Sequence, residues 1–262
     1  MRAKGTDRDR ARTLALPLWA FLLSWTAASA SLASTLSLPG DAGAPPGAAT
    51  TVPLYIDDAT GMLGTDIVIA YDPAVARATG VAKTPLSSSQ SLTVNLSSPG
   101  TIRISLFGSS PLVGGGVLLN LFFNSVGPLN AGTVLDLVSA VINEGAIPAV
   151  LKDGHYCVQA LPDEVRNLRL SPASPGSATA TLAWDADPAA TAYNVYTASL
   201  PDLEDLTCFM HGVSSTSVAD GGLVPSPDTA IFYLVTSTNC RGEGALGFAE
   251  PVSERTNPNP CP

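Results

Sequence analysis

The sequence predicts an all-β protein built as two antiparallel β-sandwiches in tandem, on three observations. Short runs such as "TDIVIAY", "TIRISLF" and "ATATLAW" alternate their residues with a period of two. Clusters of Gly, Pro, Ser, Asn and Asp separate these runs, and the chain carries 23 Gly and 22 Pro. No long helical periodicity interrupts them. At 262 residues the chain has room for two domains of ordinary size.

Residues 1–30 stand apart from this pattern. Arg2, Lys4, Arg8, Arg10 and Arg12 precede the apolar "TLALPLWAFLLSW" and the small-residue stretch "TAASASLAS". A charged start, a short apolar segment and Ala28-Ser29-Ala30 form the three parts of a secretory signal peptide, cut after Ala30 or after Ala33. The apolar run is shorter than the roughly 20 residues that cross a bilayer. The remaining chain is therefore expected to lack a membrane span and to be secreted, extracellular or periplasmic. The formal net charge of −9 for the full 262-residue chain, with five of its positive charges in residues 1–30, disfavours nucleic acid and anionic membranes as partners.

In the first sandwich, "GTDIVIAYDP" sends Ile67, Ile69 and Tyr71 to one face and Asp66, Val68 and Ala70 to the other. Pro73 lacks an N–H and ends the strand, so Tyr71-Asp72-Pro73 reads as a structural turn. In "TIRISLF" Ile102, Ile104 and Leu106 point inward, with Arg103, Ser105 and Phe107 outward. In "LLNLFFN" Leu119, Leu121 and Phe123 point inward, with Asn120, Phe122 and Asn124 outward. A one-residue slip of the first strand would bury Asp66 without a partner.

Residues 34–158 resemble a cohesin domain, the dockerin-binding sandwich of cellulosome-type scaffolds. The resemblance rests on "PPGAATTVPLYI", "TDIVIAYDPAVA", "TIRISLF", "GGGVLLNLFF" and "NEGAIPAVLKDGHYCV", five elements in that family's order. It implies a jelly-roll sandwich in which Asp66 aligns with a partner-contacting aspartate. Gly64 stands where many cohesins carry a partner-contacting Asn. If the three strands share a sheet, as the resemblance implies, Asp66, Val68, Ala70, Arg103, Ser105, Phe107 and Phe122 form one partner-binding face. Cover of that face by a loop or by the second domain is the alternative.

The stretch "CVQALPDEVRNL" marks a boundary near residue 161. Beyond it, "ATATLAW" places Ala178, Ala180, Leu182 and Trp184 on one face. "AYNVYTA" places Tyr193 and Val195 inward with Asn194 and Tyr196 outward, and "IFYLVTSTN" places Tyr233, Val235 and Ser237 inward. Residues 161–253 resemble an immunoglobulin-like fibronectin type III module, with Trp184 as its core tryptophan and Tyr233 as its tyrosine-corner residue. An Asn/Pro-rich tail, 254–262, follows. No Arg-Gly-Asp occurs.

An exported chain with four cysteines favours two disulfides, for which three connectivities exist. The type III resemblance implies Cys157–Cys240 and Cys208–Cys261, because the members of each pair then lie toward one pole of the module. A local Cys240–Cys261 bridge stays open. The histidines, His155 and His211, accompany no G-x-S-x-G, H-E-x-x-H or C-x-x-C element, and no calcium loop of the D-x-[DN]-x-[DN]-G type occurs. Only 6% of residues are aromatic, few for a glycosidase cleft.

The expectation is a monomeric, non-enzymatic binding or scaffold protein with no cofactor and no metal, attaching to a dockerin-like protein or to a polysaccharide. A structural surface or envelope protein without a dedicated ligand is the alternative, as is an accessory carbohydrate-binding module of a polysaccharide-degrading system.

Overall fold

The computed structural model describes residues 33–172, 174, 179–249, 253–257 and 259–262. The expected signal peptide lies outside them. Ser31–Pro262 gather into one compact unit, and within it two sandwiches each have their own buried core.

The first sandwich opens with β1 (Ser34–Ser37), β2 (Ala42–Gly43), β3 (Ala49–Ile56) and β4 (Gly64–Ala70). It continues through β5 (Ala76–Lys83), β6 (Ser91–Asn95), β7 (Thr101–Phe107) and β8 (Gly116–Ser125), and closes with β9 (Gly132–Ile142), β10 (Ala149–Lys152) and β11 (Gly154–Cys157). One sheet has the order β10-β1-β3-β8-β5 and the other β2-β11-β9-β4-β7-β6. The pairings are antiparallel except β1 with β10 and β2 with β11, which run parallel.

Period-two alternation decides which residues meet between the sheets. Val52, Leu54 and Ile56 from β3 and Leu119, Leu121 and Phe123 from β8 face Ile67, Ile69, Ile102, Ile104 and Leu106 from the opposite sheet, all buried. Tyr71 is half-buried rather than fully inward, its ring edge-on to Phe123 at 5.3 Å. The Tyr-Asp-Pro turn is structural: Asp72 Oδ1 accepts the Ala74 N–H at 2.8 Å, and Thr133 Oγ1 accepts the Asp72 N–H at 2.9 Å. Tyr71 and Asp72 thus close the end of β4.

The second sandwich comprises β12 (Arg169–Pro172), β13 (Ala180–Ala183), β14 (Ala192–Ala198), β15 (Thr207–Val213), β16 (Ser217–Ala219), β17 (Phe232–Asn239) and β18 (Gly242–Glu243). A small hairpin of β19 (Phe248–Ala249) and β20 (Ser253–Glu254) follows. The sheets have the orders β12-β13-β16 and β15-β14-β17-β18. Leu182, Trp184, Tyr193, Val195 and Val235 form the core between them, with the Trp184 and Tyr193 rings 5.4 Å apart.

One expectation for this half is corrected. Asn194 and Tyr196 alternate away from that core as predicted, yet they are 8% and 0% exposed. The chain terminus covers them. Tyr196, Ala198 and Leu206 form a further cluster with Phe232, Leu234, Leu246 and Cys261. Tyr196 Oη donates to Glu243 Oε1 at 2.7 Å and accepts the Cys261 N–H at 3.0 Å, while Asn194 Nδ2 and Thr236 Oγ1 donate to the same carboxylate oxygen. A buried polar group without a partner is costly, and Glu243 supplies the partner for three.

Cys208 pairs with Cys261 (Cα–Cα 5.1 Å) and Cys157 with Cys240 (Cα–Cα 5.9 Å). The second bridge joins the sandwiches. Around it, Arg241 Nε donates to Asp41 O at 2.9 Å and Asn239 Nδ2 to Ala160 O at 2.9 Å. A side chain at Gly43 would put its Cβ 1.9 Å from the Cys157 carbonyl oxygen, so glycine is required where β2 meets β11.

Carboxylates cap several turns. Backbone and hydroxyl groups of Thr35 hold Asp57 below the usual carboxylate value of 3.8, and Thr60 does the same for Asp58. The Ser199 hydroxyl and N–H lower Asp205, and the Ala180 and Gly222 N–H groups lower Asp220. A folded pKa below the unfolded one adds stability that is fully present above about 3.8 and is lost as pH falls through the lower folded values. The melting temperature is therefore expected to be insensitive to these groups between pH 7 and pH 5 and to fall below about pH 4. Calorimetry across that range checks this, and Asp220→Asn should shallow the acid limb.

Candidate partner-binding face

The outer face of the six-stranded sheet is built around β4, which lies between β7 and β9. Pairing sets its rows. Asp66 stands opposite Ser105 and Val141, Val68 opposite Arg103 and Ser139, and Ala70 opposite Thr101 and Asp136. The core demand of Ile67 and Ile69 on one side of β4 thus forces Asp66, Val68 and Ala70 to the other. Ser105 Oγ donates to Asp66 Oδ1 at 2.5 Å and fixes the carboxylate's direction.

Phe107, at the end of β7, is 54% exposed. The sequence-predicted site is brought together except at one position. Phe122 belongs to β8, in the opposite sheet, and pairs with Thr51 and Gly80. The expectation of a single sheet for all three strands is corrected there. Inward and outward sides of β8 were assigned properly, but alternation says nothing about which of two sheets a strand joins.

Sequence reasoning missed three residues that the fold adds to this face. Val134, Val138 and Val141 on β9 are exposed. The alternation in "TVLDLV" carried that signal for Val134 and Val138, with Leu135 and Leu137 inward, and a bulge opposite Val68 and Ile69 shifts the phase so that Val141 faces outward as well. The result is an apolar strip with Asp66, Asp136 and Arg103 set into it. The ion pairs among the described residues, Arg166–Asp163 and Arg169–Asp185, lie in the second sandwich and its approach. Asp66 and Arg103 are tied up in neither.

At one end the strip deepens into an open hollow of ≈ 470 Å³ lined by Leu63, Asp66, Ser105, Phe107, Asn143 and Glu144. Asn143 shapes it. Its Oδ1 accepts the Leu63 and Gly64 N–H groups at 2.8 and 3.1 Å, and its Nδ2 donates to Gly61 O at 2.9 Å. Asn143 and Glu144 both have positive φ, 47° and 57°, in the 3-10 turn Asn143–Gly145 after β9. Asn tolerates that region well, whereas Glu does so at some cost.

No group of three or more His, Cys, Asp and Glu side chains placed to hold a metal occurs among the described residues. His155 sits within β11 beside Val134, and His211 within β15.

The matching family fits this geometry. Residues 34–134 match the Cohesin domain. The matched stretch runs from β1 to the start of β9 and contains every strand of the face up to that point. Solved cohesins are among the structures to which the chain is similar, at low identity. A non-cellulosomal cohesin from the archaeon Archaeoglobus fulgidus is 20% identical over 48% of this chain and 90% of its own, with a TM-score of 0.43. The seventh ScaB type I cohesin from Pseudobacteroides cellulosolvens is 18% identical over 49% and 94%, with a TM-score of 0.41. The Coh-OlpC–Doc435 cohesin–dockerin complex from Clostridium thermocellum aligns at 16% identity over 48% and 93%, with a TM-score of 0.41. No curated protein matches the chain.

Proposed function

We propose that this is an exported, non-enzymatic attachment protein whose cohesin-like sandwich docks a dockerin-like protein on the outer face of its six-stranded sheet. The observation that carries the reading is the strip of Phe107, Val68, Val138 and Val141, interrupted by the oriented Asp66 carboxylate and by Arg103. Exposed apolar groups rimmed by polar ones suit a contact patch better than a solvated wall. The family match to residues 34–134 and the dockerin bound in the Clostridium thermocellum complex support the choice of partner.

Two disulfides support folding outside the cytoplasm. The second sandwich is read as a fibronectin type III-like spacer, supported by the buried Trp184 on Tyr193 and by its three-plus-four-stranded arrangement.

The test is capture of calcium-loaded dockerin modules by the immobilised protein. Phe107→Ser with Val138→Ser is expected to abolish capture while the melting temperature stays within a degree or so, since both side chains are more than half exposed. Asp66→Ala should weaken capture without affecting stability. A drop of several degrees in the double variant would show that these side chains are core, and failure of the wild type to take up any dockerin would reject the partner.

A further inference from the structure

The opposite outer face of the first sandwich holds a second, chemically different hollow. Three strands build it. Ser37 on β1 pairs with Tyr55 on β3 and with Lys152 on β10, so those three side chains form one outward row. Thr35, two residues earlier, points the same way, because Leu36 and Leu38 take the core side. Small hydroxyl residues on the middle strand between a long aromatic and a long ammonium side chain leave a trough. It is open, measures ≈ 390 Å³ and ends at Asp57.

The lining is prepared rather than collapsed. Asp57 Oδ1 accepts the Thr35 and Asp58 N–H groups, both at 2.7 Å, so this carboxylate is held in place. The Tyr55 hydroxyl, the Lys152 ammonium and the Ser37 hydroxyl have no partner among the described residues. Tyr55 is 42% exposed and contributes an aromatic ring to the lining of the trough.

The face extends along β3. Phe122, the residue that does not belong to the partner-binding face, lies here opposite Thr51, four residues along β3 from Tyr55. That spacing is about 13 Å at the usual rise of a strand. Pro53 and Asn120, which pair with each other, lie between the two rings.

We infer that this trough binds a pyranose unit of a neutral polysaccharide, stacked on Tyr55, with Phe122 meeting the same sugar chain farther along. A sugar ring has an apolar C–H face that suits an aromatic wall, and a rim of hydroxyls that both donate and accept. Asp57 accepts from that rim, Lys152 donates to it, and Ser37 does either. A site with an aromatic wall and a few convergent polar groups is the ordinary design of a small-ligand pocket. A flat apolar partner would leave Lys152 desolvated and unpaired, at a cost. The inference is independent of the docking face, because the two lie on opposite sheets.

Native affinity electrophoresis of the oxidised full chain tests it, in gels containing mixed-linkage β-glucan or xylan, with polygalacturonate as an anionic comparison. The wild type is expected to be retarded by a neutral polysaccharide. Tyr55→Ala should weaken that binding about tenfold, the loss of one stacking contact, with an unchanged melting temperature. Lys152→Ala should weaken it less, and Phe107→Ser should leave it intact. The inference is overturned if neither neutral polysaccharide retards the wild type, or if Tyr55→Ala is retarded equally. Retardation by polygalacturonate alone, abolished by salt, also overturns it, because attraction to the Lys152 charge then explains the result.

Discussion

Phe123→Ala is expected to destabilise the first sandwich by about 3–5 kcal/mol, the cost of a large core truncation that leaves a cavity. Phe123 is fully buried on β8, between β3 and β5. Its ring meets Tyr71 edge-on at 5.3 Å and Tyr156 at 5.6 Å, contacts worth more than their buried area alone. The neighbours are poorly placed to collapse into the space. Tyr156 Oη is held against Ser125 Oγ at 2.8 Å, Ser125 Oγ donates to Ala44 O, and Tyr71 Oη accepts the Ala78 N–H at 3.1 Å. The adjacent Phe122→Ala is the internal control and should cost about 0.5 kcal/mol or less, since that ring is at the surface. Urea titration of both variants measures the contrast. Equal losses would mean that the register of β8 is not the one described.

The largest effect in the second sandwich is expected from Cys208→Ser with Cys261→Ser. The bridge closes a separation of 53 residues, for which chain entropy gives about 4 kcal/mol. Its loss also frees the segment that covers the outer face of β14. Tyr196 Oη would lose the Cys261 N–H, and Leu206 O would lose the Asn259 amide that donates to it at 3.0 Å. Tyr196, Ala198 and Leu206 would then meet water. Calorimetry should show the second sandwich melting first and apart from the other, and hydrogen exchange of the backbone amides at positions 259 and 261 should become fast. An unchanged melting temperature would show that the tail adds nothing once the sheet has formed.

How much of this was legible in the sequence depends on the range of the interaction. Inward and outward sides of β4, β7 and β8 follow from neighbouring residues, because side chains alternate along a strand whatever it pairs with. Sheet membership does not, and Phe122 shows it. Asn194 and Tyr196 read as solvent-facing because the cover they receive comes from Cys261 and Glu243, far along the chain. Val141 was hidden for a similar reason, because it faces outward only after a bulge in β9 set by pairing with β4. Gly64 stands at the rim of the hollow, where the family resemblance placed a contacting Asn. Another asparagine, Asn143, serves that rim by bonding the backbone at Leu63 and Gly64.

Tension gives the Cys157–Cys240 bridge a further meaning. A force applied between the first sandwich and residue 240 passes through the sulfur atoms, and the intervening chain carries none of it. The separation of 83 residues would contribute about 270–300 Å of extended length if released. With the bridge closed, that length stays hidden and the second sandwich is shielded from load along this path. Between the first sandwich and residue 240 the bridge acts as an inextensible link, and reducing it would turn a stiff tether into a compliant one.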